Sequence, residues 1–238
     1  MTGASSGIGK DFAHRLINEG YLVYGAARRT DRMGGIKAAG GHVIALDVTD
    51  DTSILACVTQ ILSEQQRIDV LINNAGYGQY GALEDVPIDE GRRQMETNLL
   101  GPARLTQLIL PHMRERSFGK IINISSIGGK CSSPLGGWYH ASKFALEGYS
   151  DALRNEVRPF GIDVVVIEPG GVVSEWSAVA AKNAEPAAKS VSDQRHRRYA
   201  HRHHRRYGYY RTAYWQPFPI YFPHVYHSRL VWNRVPWF

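Results

Sequence analysis

The feature that most constrains the fold of this chain is a regular alternation of short apolar runs with longer amphipathic stretches. Five runs, of which "YLVYGAA" is the first, are apolar almost without interruption. Such runs are typical of parallel strands covered by helices on both faces, because a strand with one face in water alternates polar and apolar residues. The repeats of strand and helix therefore predict an α/β fold with a doubly wound parallel sheet. The predicted strands span 21–27, 42–48, 69–76, 120–126 and 162–170, and the predicted helices span 8–19, 51–66, 89–116 with a break at Pro102, and 139–158.

The composition is that of a globular protein without a membrane span. Hydrophobic residues make up 43% of the 238 residues, and charged residues make up 21%. No apolar run reaches the roughly 18 residues that a membrane-spanning helix needs, and the polar segment 1–10 does not resemble a secretory signal. The two cysteines, Cys57 and Cys131, lie far apart and outside any CxxC motif. We therefore expect a cytoplasmic protein with no disulfide framework and no membrane partner.

A glycine-rich loop, "TGASSGIG", lies directly before the first predicted helix. Its glycines Gly3, Gly7 and Gly9 would let the backbone approach a pyrophosphate, and the helix N-terminus would supply N–H donors. A dinucleotide-binding fold has a strand before this loop, and only Met1 precedes Thr2. We therefore expect the first strand to be absent. Because that strand would lie in the middle of the sheet, its neighbours would lose ladder partners, and we expect the chain as written to fold poorly or to be inactive.

Two arginines follow the first predicted strand, where a dinucleotide-binding fold selects its cofactor. An acidic residue there would accept the ribose 2′-hydroxyl of NAD, whereas an arginine would pair with the 2′-phosphate of NADP. The chain has Arg28 and Arg29 at this position, and Asp31 comes too late to take the acidic role. The sequence thus favours NADP(H) over NAD(H). The alternative is that both arginines are simply solvated at a strand end.

Taken in order, the motifs resemble those of the short-chain dehydrogenase/reductase family. They are TGxxxGxG at 2–9, Asp47 after a strand, NNAG at 73–76, Asn98 in "TNLLG", "NISS", YxxxK at 139–143 and Pro169–Gly170. An isolated YxxxK would be a coincidence of helix spacing, but this ordered series is specific to the family. The resemblance covers about residues 2–180. It implies a Rossmann-type fold and the single-domain, NAD(P)-dependent branch, and the local sequence is similar to the hydroxysteroid- and retinol-dehydrogenase-like subgroup.

The resemblance implies an enzyme that interconverts an alcohol and a carbonyl compound by hydride transfer. Tyr139 would be the general acid or base, and Lys143 would lower the pKa of that tyrosine and bind the nicotinamide ribose. Ser126 would hold the substrate oxygen; Ser125 is the alternative, and the spacing to Tyr139 in the family favours Ser126. Asn98 would position a water relay to the lysine; the alternative role is to satisfy backbone groups at a helix bend, and the resemblance implies that it does both.

The resemblance also implies a set of cofactor contacts and no metal site. Asp47 has an alternative role as a helix cap, and His112 and His140 are expected at the surface rather than as metal ligands. A small-molecule alcohol or carbonyl substrate and a homo-oligomer are the implied partners. The expected cofactor contacts are Gly3, Ser5, Ser6, Gly7, Ile8, Gly9, Arg28, Arg29, Asp47, Val48, Asn74, Ala75, Gly76, Tyr139, Lys143, Pro169, Gly170 and Val172.

The C-terminal part has a different composition, so we divide the chain into a dinucleotide-binding and catalytic domain at 1–188 and an irregular or disordered tail at 189–238. Residues 191–238 contain nine arginines, six histidines, seven tyrosines and one acidic residue, giving +8, while residues 1–190 carry −2. This tail replaces the C-terminal elements of the family. A reading-frame shift explains it best. Binding of nucleic acid by basic and aromatic residues is the second explanation, and a metal tract at His201, His203 and His204 is the third.

Overall fold

The computed structural model describes residues 1–172 as alternating strands and helices. Short 3₁₀ turns lie at Thr30–Met33, Ile127–Gly129 and Arg158–Phe160, and a π-helical segment lies at Glu96–Leu100. The strands are β1 (Tyr24–Ala27), β2 (His42–Ala45), β3 (Val70–Asn73), β4 (Gly119–Ile124) and β5 (Ile162–Ile167), and the helices are α1 (Gly7–Asn18), α2 (Gly34–Ala38), α3 (Asp51–Gln65), α4 (Ile88–Met95), α5 (Gly101–Glu115) and α6 (Gly137–Val157).

All pairings between these strands are parallel. β1 pairs with β2, and β4 lies between β3 and β5. The first two residues lie between the two groups of strands: the Ala26 N–H donates to the Met1 carbonyl at 2.9 Å, and the Thr2 N–H donates to the Ile72 carbonyl at 2.9 Å. Thr2 forms an isolated parallel bridge with Ala26 rather than a strand. The spatial order is therefore β2, β1, residues 1–2, β3, β4, β5, which confirms the predicted Rossmann-type sheet.

The five predicted strands are all present. The first ends at Ala27, as predicted, and the other four end earlier than the apolar runs that predicted them. Residues 46–48, 74–76, 125–126 and 168–170 leave the sheet as loops at its carboxyl edge. In an open parallel sheet this edge is where ligands bind. Because these strands end early, the candidate site residues that follow them lie in loops at the same edge of the sheet.

The predicted helix 89–116 consists of three pieces, not two. The π-helical segment Glu96–Leu100 separates α4 from α5, and Pro102 occupies the second position of α5. Proline has no N–H group to continue the backbone hydrogen bonds of a helix, and the change from π-helical to α-helical bonding falls directly before it. The break that we predicted at Pro102 therefore begins several residues earlier, with the π-helical segment that contains Asn98.

Two hydrophobic clusters hold the elements on opposite faces of the strands. The larger joins α3, α5 and α6 to both groups of strands through residues such as Ile54, Ile109, Ile121 and Leu153. The smaller lies beneath α1 and α2 and includes Met33. Helices thus cover both faces, as predicted. Within residues 1–172, none of the helices combines the length and apolarity required to cross a membrane.

Candidate active site

The glycine loop crosses the carboxyl edge of the strands in a conformation that suits glycine. Gly3 and Gly7 have φ values of 68° and 52°, which side chains disfavour. A Cβ atom on Gly9 would lie 2.4 Å from both the Gly3 carbonyl oxygen and Asn74 Nδ2. Ser6 is the N-cap of α1, and its side chain makes no capping hydrogen bond. The loop therefore packs closely on the end of β3 and leaves the first-turn N–H groups of α1, with Ile8 among them, without a side-chain cap.

Asn74 and Ala75 join this loop to β3. Thr2 Oγ1 accepts hydrogen bonds from the backbone N–H groups of Asn74 and Ala75 at 3.0 and 2.9 Å. Asn74 Nδ2 donates to the Thr2 carbonyl at 3.0 Å. Ser5, within the loop, is buried. Two segments that are 72 residues apart in the chain are thereby fixed against each other.

The two arginines and Asp47 lie at the ends of β1 and β2. Arg29 Nη2 donates to Ser6 Oγ at 3.3 Å, and Arg28 Nη1 lies 3.9 Å from Asp47 Oδ2. Asp47 Oδ1 accepts hydrogen bonds from the Thr49 N–H and hydroxyl groups. Although partial burial raises the pKa of Asp47, these hydrogen bonds and the Arg28 charge keep it below its ordinary value.

Asp47 does not cap a helix, and its neighbour Val48 is buried. The N-cap of α3 is Asp50, whose carboxylate accepts the Thr52 N–H. A Cβ atom on Gly101 would lie 2.4 Å from the Val48 carbonyl oxygen, so α5 begins in close contact with this loop. The capping role that we considered for Asp47 is wrong, because the cap lies three residues further on.

Asn98 lies buried in the π-helical bend and connects three segments. Its Oδ1 atom accepts from the Tyr77 N–H at 3.1 Å, and its Nδ2 atom donates to the Tyr77 carbonyl at 3.0 Å. Nδ2 also donates to Ser142 Oγ at 3.0 Å, and Ser142 Oγ donates to the Tyr139 carbonyl at 2.7 Å. A Cβ atom on Gly76 would lie 3.2 Å from Asn98 Oδ1. Asn98 thus satisfies backbone groups near the bend and holds the first turn of α6.

The Ser126 hydroxyl, not the Ser125 hydroxyl, meets Tyr139. Ser126 Oγ accepts the Gly128 N–H at 3.0 Å and is hydrogen-bonded to the Tyr139 phenol. Ser125 Oγ is buried, with no hydrogen-bond partner within residues 1–172. Burial raises the pKa of Tyr139, and the hydrogen bond with Ser126 offsets part of this rise. At neutral pH the phenol is therefore protonated and can donate a proton.

Lys143 lies one helical turn after Tyr139, as the spacing predicted. It is only 7% exposed, and Nζ donates to the Ile124 carbonyl at 2.7 Å. Burial lowers the pKa of Lys143 to about 8, and the Glu147 charge opposes this change. Nζ lies 6.0 Å from the centroid of the Tyr139 ring. We predicted that this ammonium lowers the pKa of Tyr139; in the structure that pKa is raised by burial, and the hydrogen bond with Ser126, not Lys143, is what opposes the rise.

The segment after β5 lies beside the Ser126 loop. The Ile127 N–H donates to the Pro169 carbonyl at 3.0 Å, and a Cβ atom on Gly170 would approach Ile127 Cγ2 at 3.8 Å. Val172 is exposed. Pro169 and Gly170 are therefore brought next to the serine loop, while Val172 lies at the end of the described chain.

Sequence reasoning misplaced His140 and missed Tyr80. His140 is buried rather than at the surface: its Nδ1 lies 2.9 Å from the Gly128 carbonyl, and its Nε2 accepts the Ser133 N–H at 3.1 Å. His112 is exposed, as predicted.

The Tyr80 ring stacks on Tyr139 with centroids 6.0 Å apart, and no motif or spacing indicated this contact. Within the described part of the chain, no group of three or more histidines, cysteines and acidic residues could hold a metal ion.

The predictions for the C-terminal part cannot be placed in this structure. The boundary at residue 188, the tail 189–238 and the three histidines considered as a metal tract all lie outside the described residues. They stay predictions.

Comparison with known proteins gives consistent results. A family model described as "short chain dehydrogenase" matches residues 1–185. The chain is 48% identical over 171 residues to a 3-ketodihydrosphingosine reductase of Bacteroides thetaiotaomicron, which covers 71% of this chain and 62% of that protein. It is 45% identical to the crystal structure of a short-chain dehydrogenase from Streptomyces avermitilis, with a TM-score of 0.70 and coverage of 72% of this chain and 65% of that one. A metagenomic short-chain oxidoreductase in complex with NADP is 35% identical, with a TM-score of 0.67 and coverage of 72% and 80%.

Proposed function

This chain belongs to the short-chain dehydrogenase family, and we propose that it is an NAD(P)-dependent oxidoreductase that interconverts an alcohol and a carbonyl compound. One observation carries the proposal: the hydrogen-bonded Ser126–Tyr139 pair and the buried Lys143 lie at the same edge of the sheet as the glycine loop. The chain spans 62% of the length of the 3-ketodihydrosphingosine reductase that it matches.

Tyr139 moves the proton in the proposed reaction. Its phenol is neutral at pH 7 because burial raises its pKa, so it can donate a proton to a carbonyl oxygen that gains negative charge. Ser126 is hydrogen-bonded to the same hydroxyl and can hold the substrate oxygen beside it. Lys143, when protonated, stabilises the phenolate that forms once the proton has left. Asn98 positions this machinery through Ser142 and the first turn of α6.

A nicotinamide dinucleotide fits the residues that surround the glycine loop. The close contacts at Gly3 and Gly9 leave no space for side chains, and α1 begins at Gly7 with an N-terminus that can bind a pyrophosphate. Ser5, Ser6 and Ile8 belong to the same phosphate-binding loop in this proposal. The nicotinamide ring, when bound, supplies or accepts the two electrons of the reaction.

The remaining proposed cofactor contacts come from other strand ends. Asp47 and Val48 lie on the adenine side, Asn74, Ala75 and Gly76 on the side of the adenosine ribose, and Pro169, Gly170 and Val172 on the nicotinamide side. NADP(H) is the proposed cofactor because both arginines are at the end of β1 and Arg29 already contacts Ser6 in the phosphate loop. The related oxidoreductase in complex with NADP supports this choice.

The partners proposed are a small carbonyl or alcohol substrate and a second copy of the chain. A groove of about 430 Å³ between α5 and α6 is lined in part by Leu100, Leu110 and Leu153. Phe144, on the exposed side of α6, is 46% exposed. Light scattering of the wild type and Leu100→Glu tests the oligomer, and a monomeric wild type would contradict it.

The test of the function is binding and turnover of the cofactor. We expect NADPH to raise the melting temperature of the full chain more than NADH does, and NADPH oxidation to depend on an added carbonyl compound. The panel should include a long-chain 3-keto compound, because the related reductase acts on 3-ketodihydrosphingosine according to its name. No thermal shift with either cofactor and no turnover would favour the alternative, a defective protein of this family. Salt-sensitive RNA binding that is lost on deletion of 191–238 would indicate that such a protein binds nucleic acid.

A further inference from the structure

A buried carboxylate, Glu147, lies one helical turn beyond Lys143 on α6. The residue is 6% exposed, whereas acidic residues are rarely buried unless they are paired. Its Oε2 atom lies 2.9 Å from Lys130 Nζ. Its Oε1 atom is buried and has no hydrogen-bond partner among residues 1–172. A group that serves packing alone would be better replaced by an apolar side chain, because a buried charge carries a desolvation cost.

Lys130 connects this carboxylate to the two loops that form the catalytic edge. It follows the 3₁₀ turn that Ser126 caps, and its side chain is 52% exposed. Lys130 Nζ also lies 3.5 Å from Glu168 Oε1, directly after β5. The ion pairs therefore join α6 to the segment after β4 and to the segment after β5.

Gly129 lets these elements approach one another. A Cβ atom on Gly129 would lie 3.0 Å from Glu147 Cγ and 3.1 Å from the Lys143 carbonyl oxygen. The same atom would lie 2.9 Å from Ser125 Oγ. The backbone of the serine loop thus packs directly on the turn of α6 that carries Lys143 and Glu147.

We propose that Glu147 is a positioning residue that keeps the Lys143 ammonium charged beside Tyr139. This inference rests on the proposed function, in which the lysine charge stabilises the phenolate. Glu147 itself touches neither substrate nor cofactor in this proposal; it acts through Lys143.

The charges around Lys143 explain why a counter-charge is needed. Burial lowers the pKa of Lys143 to about 8, and Glu147 is the charge that opposes burial. The other groups of the surrounding elements are Tyr139 on α6, Ser125 and Ser126 after β4, Asn98 in the π-helical bend, and the more distant Lys130 and Glu168. Lys130 Nζ lies 2.9 Å from Glu147 Oε2 and therefore partly neutralises that carboxylate. Removing Glu147 or Lys130 should therefore shift the titration of Lys143 in opposite directions.

The first measurement is an NMR titration of the full chain that carries ¹³C-labelled lysine, with the Lys143 signal assigned by Lys143→Arg. Glu147→Gln should lower the Lys143 titration midpoint by about one pH unit or more. Glu156→Gln is the matched control, since it removes the same charge from an exposed position on the same helix, and it should leave the midpoint in place. Glu147→Asp retains the charge and should restore most of the shift.

The second variant keeps the proposal testable if Glu147→Gln does not fold. Lys130 is half exposed, so Lys130→Met should fold, and it should raise the Lys143 midpoint. The alkaline limb of the pH profile of kcat/KM for carbonyl reduction should follow the NMR midpoints, moving down in Glu147→Gln and up in Lys130→Met. If Glu147 and Lys130 had only a structural role, their substitutions would not shift the Lys143 midpoint in opposite directions.

Two results would overturn the proposal. The first is a Lys143 midpoint that is the same in folded Glu147→Gln as in Glu156→Gln. The second is a midpoint that stays unchanged or falls in Lys130→Met. The NMR titration requires no turnover, so it tests the effect of Glu147 and Lys130 on Lys143 separately from the proposed function. If the chain has no reductase activity but the Lys143 midpoint still shifts in opposite directions in the two variants, the proposed function is contradicted and the effect of these charges on Lys143 is not.

Discussion

The nucleotide half and the catalytic half of the candidate site are built by different means. The nucleotide half, around the glycine loop and the ends of β1 and β2, relies on backbone: Thr2, Asn74 and Ala75 hold one another through main-chain groups and two short side chains. Its two arginines are exposed. The catalytic half, around β4 and α6, relies on buried side chains, since Asn98, Tyr139, Ser142 and Lys143 are all less than 9% exposed.

The difference follows from the task that we propose for each half. A cofactor that must enter and leave is bound by N–H groups and charges that remain accessible to solvent. A group that transfers a proton needs a shifted pKa, and burial produces that shift. Cofactor binding in the nucleotide half should therefore be sensitive to substitutions that add side-chain volume. Catalysis in the other half should be sensitive to substitutions that remove a single polar atom.

The largest expected effect is the loss of catalysis in Tyr139→Phe. Removing the hydroxyl leaves no general acid, so kcat should fall by about 10²–10⁴-fold. NADPH affinity should change less, because Tyr139 is only one of the expected cofactor contacts and most of the others lie in the nucleotide half. Tyr149→Phe on the same helix is the control and should retain activity. Near-normal turnover in Tyr139→Phe would show that the Tyr139 hydroxyl is not the general acid and that the assignment of catalysis to this half is wrong.

The pH dependence of stability should reveal the buried Lys143. Its pKa in the folded state is about 8, against 10.5 for the ordinary value. Between these values the unfolded chain binds a proton that the folded state releases, so the free energy of unfolding rises with pH in this window. The gain is up to roughly 3 kcal/mol, and it should be absent in Lys143→Met when both proteins are unfolded with urea. If the free energy of unfolding depends on pH in the same way in the wild type and in Lys143→Met, the burial of a titrating lysine is contradicted.

Glycine-to-alanine substitutions should affect the two halves with opposite sign. Gly9→Ala places a methyl group against Gly3 and Asn74, so it should destabilise the chain by about 1–3 kcal/mol and weaken NADPH binding. Gly148→Ala lies on α6 with nothing within 4 Å of the new atom. It should stabilise the chain by about 0.5–1 kcal/mol, because alanine is the better helix former. If urea unfolding gives the same change in the free energy of unfolding for Gly9→Ala and Gly148→Ala, the glycine loop is not packed as described.

The smallest expected effect is on cofactor preference. Arg29→Ala should reduce the ratio of NADPH to NADH affinity by about tenfold, which corresponds to the loss of one charged hydrogen bond. Arg15→Ala on α1, an exposed arginine paired with Glu19, is the control. Calorimetric titration with each cofactor gives the ratio, and a preference that survives in Arg29→Ala would assign the selection to Arg28 or to neither arginine.

Much of the fold could be predicted because it depends on local patterns. The apolar runs predicted all five strands, and the YxxxK spacing placed Tyr139 and Lys143 one turn apart on a helix. The boundaries were less predictable. The apolar run at 42–48 continues past β2, which ends at Ala45. The last backbone hydrogen bond to β1 runs from the Leu46 N–H to the Ala27 carbonyl, and Val48 lies beyond it but is still buried in the core. Periodicity reports burial and does not report hydrogen-bonded pairing.

The sequence by itself determined which residue types stand at the strand ends, the glycine loop that crosses them, and the helical spacing of Tyr139 and Lys143. The spacing in the family already favoured Ser126 over Ser125, and the tertiary structure gives Ser126 the hydrogen bond with Tyr139. Only the tertiary structure decided that His140 is buried and that the pKa of Tyr139 is raised. The reason is physical. Spacing acts between neighbours in the chain, whereas burial and hydrogen bonding depend on segments that meet only when the sheet and its helices have packed.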